Sequence, residues 1–84
     1  MKTSTAYNYS QRVMRVQSFI QNNLGNQLLL EELAEVAMMS PYHFHRIFRE
    51  MVGAPIKVYI RRLRLEKAAM QLRFTDTSLK RIAN

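Results

Sequence analysis

Apolar residues recur along this chain at intervals of three and four, the spacing of one face of an α-helix. Four helices account for this pattern. They are expected over residues 10–24, 30–36, 41–51 and, as one long helix, 55–73. Residues 1–9 lack the periodicity and are expected to form a flexible lead. The predicted fold class is therefore all-α.

The ends of the predicted helices carry different signals. Gly25 follows the first helix, where a left-handed residue would end it. Leu29 precedes the second helix, where a capping Ser, Thr, Asp or Asn is expected, so a hydrogen bond of about 1 kcal/mol is missing. The third helix has Ser40 at its cap, Pro41 at its first position and Gly53 after its end. A turn of three or four residues thus joins the second helix to the third, as in a helix-turn-helix.

The third helix has two contrasting faces at helical spacing. The apolar face carries Phe44, Ile47, Phe48 and Met51. The opposite face is aromatic or basic and carries Tyr42, His45, Arg46 and Arg49. A recognition helix in the DNA major groove needs such a pair of faces. Taken alone, the stretch fits an ordinary amphipathic surface helix equally well.

Charge is distributed unevenly along the chain. Three basic and three acidic residues cancel within residues 1–40, whereas residues 41–73 carry eight basic residues against two acidic ones. The positive field, +7 in total, therefore begins with the third helix. A concentrated basic region predicts a polyanionic partner, with nucleic acid first and an anionic membrane surface second.

Several classes of function find no support in the sequence. There is no cysteine, and no apolar run approaches the roughly 18 residues of a membrane span. His43 and His45 lie two residues apart, which places them about 200° apart on a helix, so they do not predict a metal site. No catalytic triad or glycine-rich phosphate loop is present. We therefore expect a cytoplasmic protein that is not an enzyme and has no cofactor, metal or membrane partner.

The long fourth helix is apolar on two sides. One side carries Ile56, Tyr59, Ile60, Leu63 and Met70, and the other carries Val58, Leu65, Ala68, Ala69 and Leu72. Such a helix must be covered on both sides. Residues 79–83 (LKRIA) repeat the pattern of residues 30–34 (LEELA), with Ser78 at the cap position. We expect a second helix-turn-helix to begin here, and this chain to be a fragment that stops within it.

Two blocks resemble the AraC/XylS family of bacterial transcription regulators. They are MSPYHFHRIFREMVG at residues 39–53 and PIKVYIRRLRLEKAAMQL at residues 55–72, within a similarity that covers about residues 28–83. The resemblance implies two helix-turn-helix units joined by a long helix. The first unit would be residues 10–53, the linker 54–74 and the incomplete second unit 75–84. Leu29 and Ala54 depart from the family's usual capping residues.

The resemblance also implies roles for individual residues. Tyr42, His45 and Arg46 match the family's base-reading positions, and the helical faces select the same front. Contacts to DNA phosphate are expected from Arg49, Lys57 and Arg61. Arg64 is either a further phosphate contact or part of a structural ion pair with Glu50 or Glu66.

The predicted function is sequence-specific binding of double-stranded DNA for transcriptional regulation, at the bacterial nucleoid. RNA polymerase is a further candidate partner. The sequence of these two blocks most resembles family members that carry a C-terminal gyrase-inhibitor-like domain. The resemblance therefore implies that an effector would bind through a domain absent from this chain. Two alternatives stay open. One is a protein–protein interaction bundle that dimerises through the second apolar face of the long helix. The other is a membrane-surface binder that uses Lys57, Arg61 and Arg64.

Overall fold

The described part of the chain folds into four helices connected by short turns. The computed structural model describes the backbone of residues 2–83 and the side chains of residues 5–73. The helices are α1 (Lys2–Asn22), α2 (Leu30–Val36), α3 (Pro41–Val52) and α4 (Ile56–Ala83). The predicted all-α fold is confirmed, and the bounds of α2 and α3 agree with the sequence prediction to within one residue.

The core lies where the first three helices meet the first turns of α4. Its largest fully buried side chains are Val16, Ile20, Leu33, Phe44 and Phe48. The Phe48 ring lies 5.7 Å from that of Phe44 and meets Tyr59 of α4 edge to face at 5.2 Å. Because α3 buries Phe44 and Phe48 of its apolar face, its opposite face is held outward; Met51, assigned from sequence to the apolar face, is 43% exposed near the end of the helix.

The first helix differs from its prediction at both ends. It begins at Lys2, so the expected flexible lead over residues 1–9 is wrong. Those residues contain no glycine or proline to interrupt a helix, and Tyr9 contacts His43 of α3. At the other end, α1 stops at Asn22, and the Asn23 side chain donates a hydrogen bond to the Phe19 carbonyl (2.8 Å). Gly25 is not left-handed, so its predicted role is wrong.

A left-handed residue ends α2. Met38 has φ +57°, and the amides of Met38 and Met39 donate to the carbonyls of Glu35 and Ala34, which is the Schellman pattern. As predicted, Leu29 makes no side-chain capping bond.

The predicted ends of α3 are confirmed. Ser40 Oγ accepts a hydrogen bond from the His43 amide at 3.3 Å, and Gly53 ends α3 at φ +87°.

The fourth helix is longer than predicted. The sequence indicates an end near Arg73, whereas α4 continues to Ala83, because neither glycine nor proline follows Pro55. The side chains of the expected second unit, including the Ser78 cap, lie outside the described residues. Ile56 and Ile60 are buried, but every side chain from Leu65 to Arg73 is exposed. Met70, assigned from sequence to the inner face, is therefore exposed because the helix has already run past the core.

Candidate nucleic-acid interface

The outward face of α3 presents three of the predicted DNA-binding side chains. Tyr42 is 80% exposed, the Arg46 side chain is 67% exposed, and His45 is half-buried. The Ser40 cap and the buried phenylalanines fix the helix that carries them. Together with Arg49, these side chains line one shallow hollow, which also includes Leu30, Pro41 and Glu50.

The predicted phosphate contacts on α4 lie beside this hollow. A narrower apolar hollow between α2, α3 and α4 is lined by both His45 and Lys57. A third hollow continues along α4 and is lined by Lys57 and Arg61. The three hollows adjoin one another because neighbouring hollows share lining residues. We call the resulting surface the basic track and define it by Tyr42, His45, Arg46, Arg49, Lys57 and Arg61.

The electrostatics of the basic track are nearly uniform in sign. Among the described residues, Glu50 is the only acidic side chain that lines any of the three hollows. It lies 3.5 Å from Arg46, measured between Oε1 and Nε. The acidic residues of α2 line none of these hollows. A polyanion lying along these hollows would thus meet five positive charges, one of them Arg64, and one negative charge.

Arg64 makes structural hydrogen bonds that were not considered from sequence. Its Nη2 donates to the Asn26 carbonyl (2.8 Å) and its Nε donates to the Leu24 carbonyl (3.1 Å). In the described part of the chain it forms no ion pair with Glu50 or Glu66, so the predicted ion pair is wrong. Arg64 instead ties α4 to the loop between α1 and α2.

The two histidines of α3 serve different surfaces. The His43 ring meets Tyr9 of α1 edge to face, with ring centroids 5.5 Å apart and Tyr9 Oη 3.5 Å from Nε2. His45 faces the basic track instead. Arg12 supports the same side as His43, since its Nη1 donates to the Met38 carbonyl at 3.4 Å. Tyr9 and Arg12 of α1 therefore connect α1 to α3 and to the α2–α3 turn, respectively.

Sequence reasoning missed the contributions of Glu50 and of the leucines at the start of α2. The spacing of Arg46 and Glu50, four residues apart on a helix, does signal a pair. Leu28 and Leu30 join the hollows of the basic track, but a leucine beside a helix start carries no signal for such a role. Within the described residues, no helix is long and apolar enough to cross a membrane.

Comparison with known proteins places this geometry in context. Residues 33–84 match a family model described as a helix-turn-helix domain. The chain is 38% identical over 68 residues to the uncharacterized HTH-type transcriptional regulator YbfP of Bacillus subtilis, covering 81% of this chain and 23% of that protein. It is 38% identical over 65 residues to the HTH-type transcriptional activator AarP of Providencia stuartii, covering 77% and 48%.

A third relative is the XylDLEGF operon transcriptional activator of Pseudomonas putida, which is 46% identical over 52 residues, or 62% of this chain and 16% of that protein. In all three cases the chain spans less than half of the relative's length. The family match begins within α2 and includes the turn and all of α3.

Proposed function

Because the chain belongs to the AraC/XylS family of transcription regulators, we propose that it binds double-stranded DNA sequence-specifically and thereby regulates transcription. The observation that carries this proposal is the basic track. An exposed, donor-rich face of a firmly anchored helix adjoins the basic start of α4. In this arrangement α3 enters the major groove and the start of α4 lies along the phosphate backbone.

Three side chains of α3 read the bases. The Arg46 guanidinium donates two parallel hydrogen bonds to guanine O6 and N7, a contact worth about 1–3 kcal/mol of discrimination. His45, which lines both the shallow hollow and the narrow one, donates to or accepts from a base edge. Tyr42, at the start of α3, contacts a phosphate or a thymine methyl group. The exposure of Tyr42 and Arg46 and the partial exposure of His45 support these roles.

The remaining members of the basic track bind phosphate. Arg49, Lys57 and Arg61 are all exposed, and none has a hydrogen-bond partner within the described residues that would hold it away from DNA. Each neutralised phosphate releases counterions, so the affinity falls as salt is added. This part of the interaction gives affinity and register but does not distinguish sequences.

A salt titration tests the phosphate contacts. Affinity for a random-sequence duplex would be measured by fluorescence anisotropy across a range of salt concentrations. We expect Lys57→Ala and Arg61→Ala each to reduce the slope of log K against log salt by about 0.9. Arg62→Ala is the matched control, because Arg62 is exposed beside Arg61 but lines none of the hollows. Equal slope changes for Arg61→Ala and Arg62→Ala would contradict the assignment of the track.

A second candidate function rests on the exposed apolar side chains of α4. Leu65, Met70 and Leu72 are each more than 60% exposed. A second copy of the chain would cover them, giving a dimerisation module without base readout. Sedimentation distinguishes the two functions: concentration-dependent dimerisation that is lost in Leu65→Gln, without any DNA binding, would favour the interaction module.

The wider role follows from the family and is proposed with it. The relatives are mainly transcription regulators, and we propose that this chain likewise is not an enzyme. It would act in the bacterial cytoplasm, at the nucleoid, with RNA polymerase as a further partner. A small-molecule effector would act through a domain outside this chain.

A further inference from the structure

The one carboxylate on the basic track is paired with the arginine assigned to base reading. Glu50 Oε1 lies 3.5 Å from Arg46 Nε. The two amino nitrogens of the same guanidinium, Nη1 and Nη2, make no hydrogen bond within the described residues. These are the atoms that would meet guanine in a parallel, two-bond contact. The pair therefore engages the Nε side of the guanidinium. It leaves free the fork formed by Nη1 and Nη2.

Helix stability does not account for this pair. Glu50 lies in the last turn of α3, where the helix dipole disfavours a negative charge. The order is also the less favourable one, because an acid stabilises a helix better when it precedes its basic partner by four residues. Both side chains are more than 60% exposed, and exposed pairs contribute little to folding. The pair instead determines where the Arg46 guanidinium can go.

We propose that Glu50 is a specificity-determining residue, which holds the Arg46 fork toward base edges and disfavours its binding to phosphate. The proposal rests on the DNA binding proposed above. A free arginine at the rim of a groove has phosphates within reach in any sequence, and such contacts add affinity without discrimination. When Nε is bound to the Glu50 carboxylate, the most favourable contact left to the fork is a two-bond contact with a guanine edge. A phosphate contact would require the guanidinium to leave this carboxylate, so non-specific complexes are weakened more than specific ones.

The experiment is a double-mutant cycle on the intact chain. The preferred duplex would first be selected from a random pool with wild-type protein. Affinities for that duplex and for the random pool would then be measured across salt for wild type, Glu50→Gln, Arg46→Ala and the double variant. The ratio of the two affinities gives specificity, and the salt slope on the random pool counts phosphate contacts.

We expect Glu50→Gln to reduce the specificity ratio about tenfold and to steepen the random-pool slope by about 0.9, because the freed guanidinium gains a phosphate. In the Arg46→Ala background, the same change is expected to alter neither quantity. Glu50→Asp is the control for charge. It keeps the carboxylate but withdraws it by one methylene, so we expect it to lower the ratio as well. Thermal unfolding is expected to be unchanged, since the pair contributes little stability.

Three results would overturn the inference. An unchanged ratio and slope in Glu50→Gln would show that the pair does not orient Arg46. Equal effects in both Arg46 backgrounds would show that Glu50 acts on DNA by itself. A wild-type ratio in Glu50→Asp would assign the effect to charge rather than orientation. A wild-type chain that selects no sequence would instead refute the proposed function, so the two failures are distinguishable.

Discussion

Replacing Arg64 with methionine tests whether this side chain is a structural tie or a DNA contact. The change removes both hydrogen bonds to the α1–α2 loop, at 2.8 and 3.1 Å, but keeps an unbranched stem. Hydrogen bonds from a charged donor are worth about 1.5–3 kcal/mol each. Arg64 is exposed, so water replaces part of this, and we expect a total loss of about 1–2 kcal/mol. Arg61→Met is the matched control, with an expected change within about 0.5 kcal/mol.

The assay is urea denaturation followed by far-UV circular dichroism. With a slope of about 1 kcal/mol per molar urea for a small domain, the midpoint for Arg64→Met should fall by about 1–2 M. The salt slope of DNA binding, measured on the same proteins, should fall by about 0.9 for Arg61→Met and stay unchanged for Arg64→Met. An unchanged urea midpoint combined with a reduced salt slope for Arg64→Met would refute the structural tie and restore Arg64 as a phosphate contact.

Four further changes test the helix ends and the core. Leu29→Asp supplies the cap that α2 lacks and should stabilise the domain by about 1 kcal/mol in urea, whereas Ser40→Ala should destabilise it by a similar amount; shifts of the same sign would contradict the capping argument. Gly53→Ala places a side chain at φ +87° and should cost about 1–2 kcal/mol, so an unchanged midpoint would show that the α3–α4 turn relaxes. Phe48→Ala empties a fully buried site and should cost about 3–5 kcal/mol, enough to abolish or broaden the cooperative thermal transition. Met51→Ala, at an apolar residue of α3 that is 43% exposed, serves as its control and should unfold near wild type.

The recognition helix was the most predictable part of the molecule. Its cap, its first proline and its final glycine are local signals, and the structure confirms each one. Local signals were weaker where no such residue was present. Nothing in residues 2–9 marks a loop, and nothing after Pro55 marks a stop, so α1 and α4 both extend beyond their predicted ends.

The partners of individual side chains were less predictable than the helices. The Arg64 bonds reach carbonyls 38 and 40 residues away, and their direction depends on how α4 crosses the α1–α2 loop. No periodicity contains that information. The basic track could be anticipated as a set of charges. Its continuity depends on Leu28 and Leu30, which join the hollows at the start of α2.

The central claim is that α3 reads DNA sequence, and selection of duplexes from a random pool tests it most directly. Bound DNA would be sequenced after several rounds with wild-type chain and with Arg46→Ala. The account predicts enrichment of a short motif that contains a guanine, and loss of the preference at that one position in the variant. Retention of random DNA without any enriched motif, or an identical motif from both proteins, would contradict it.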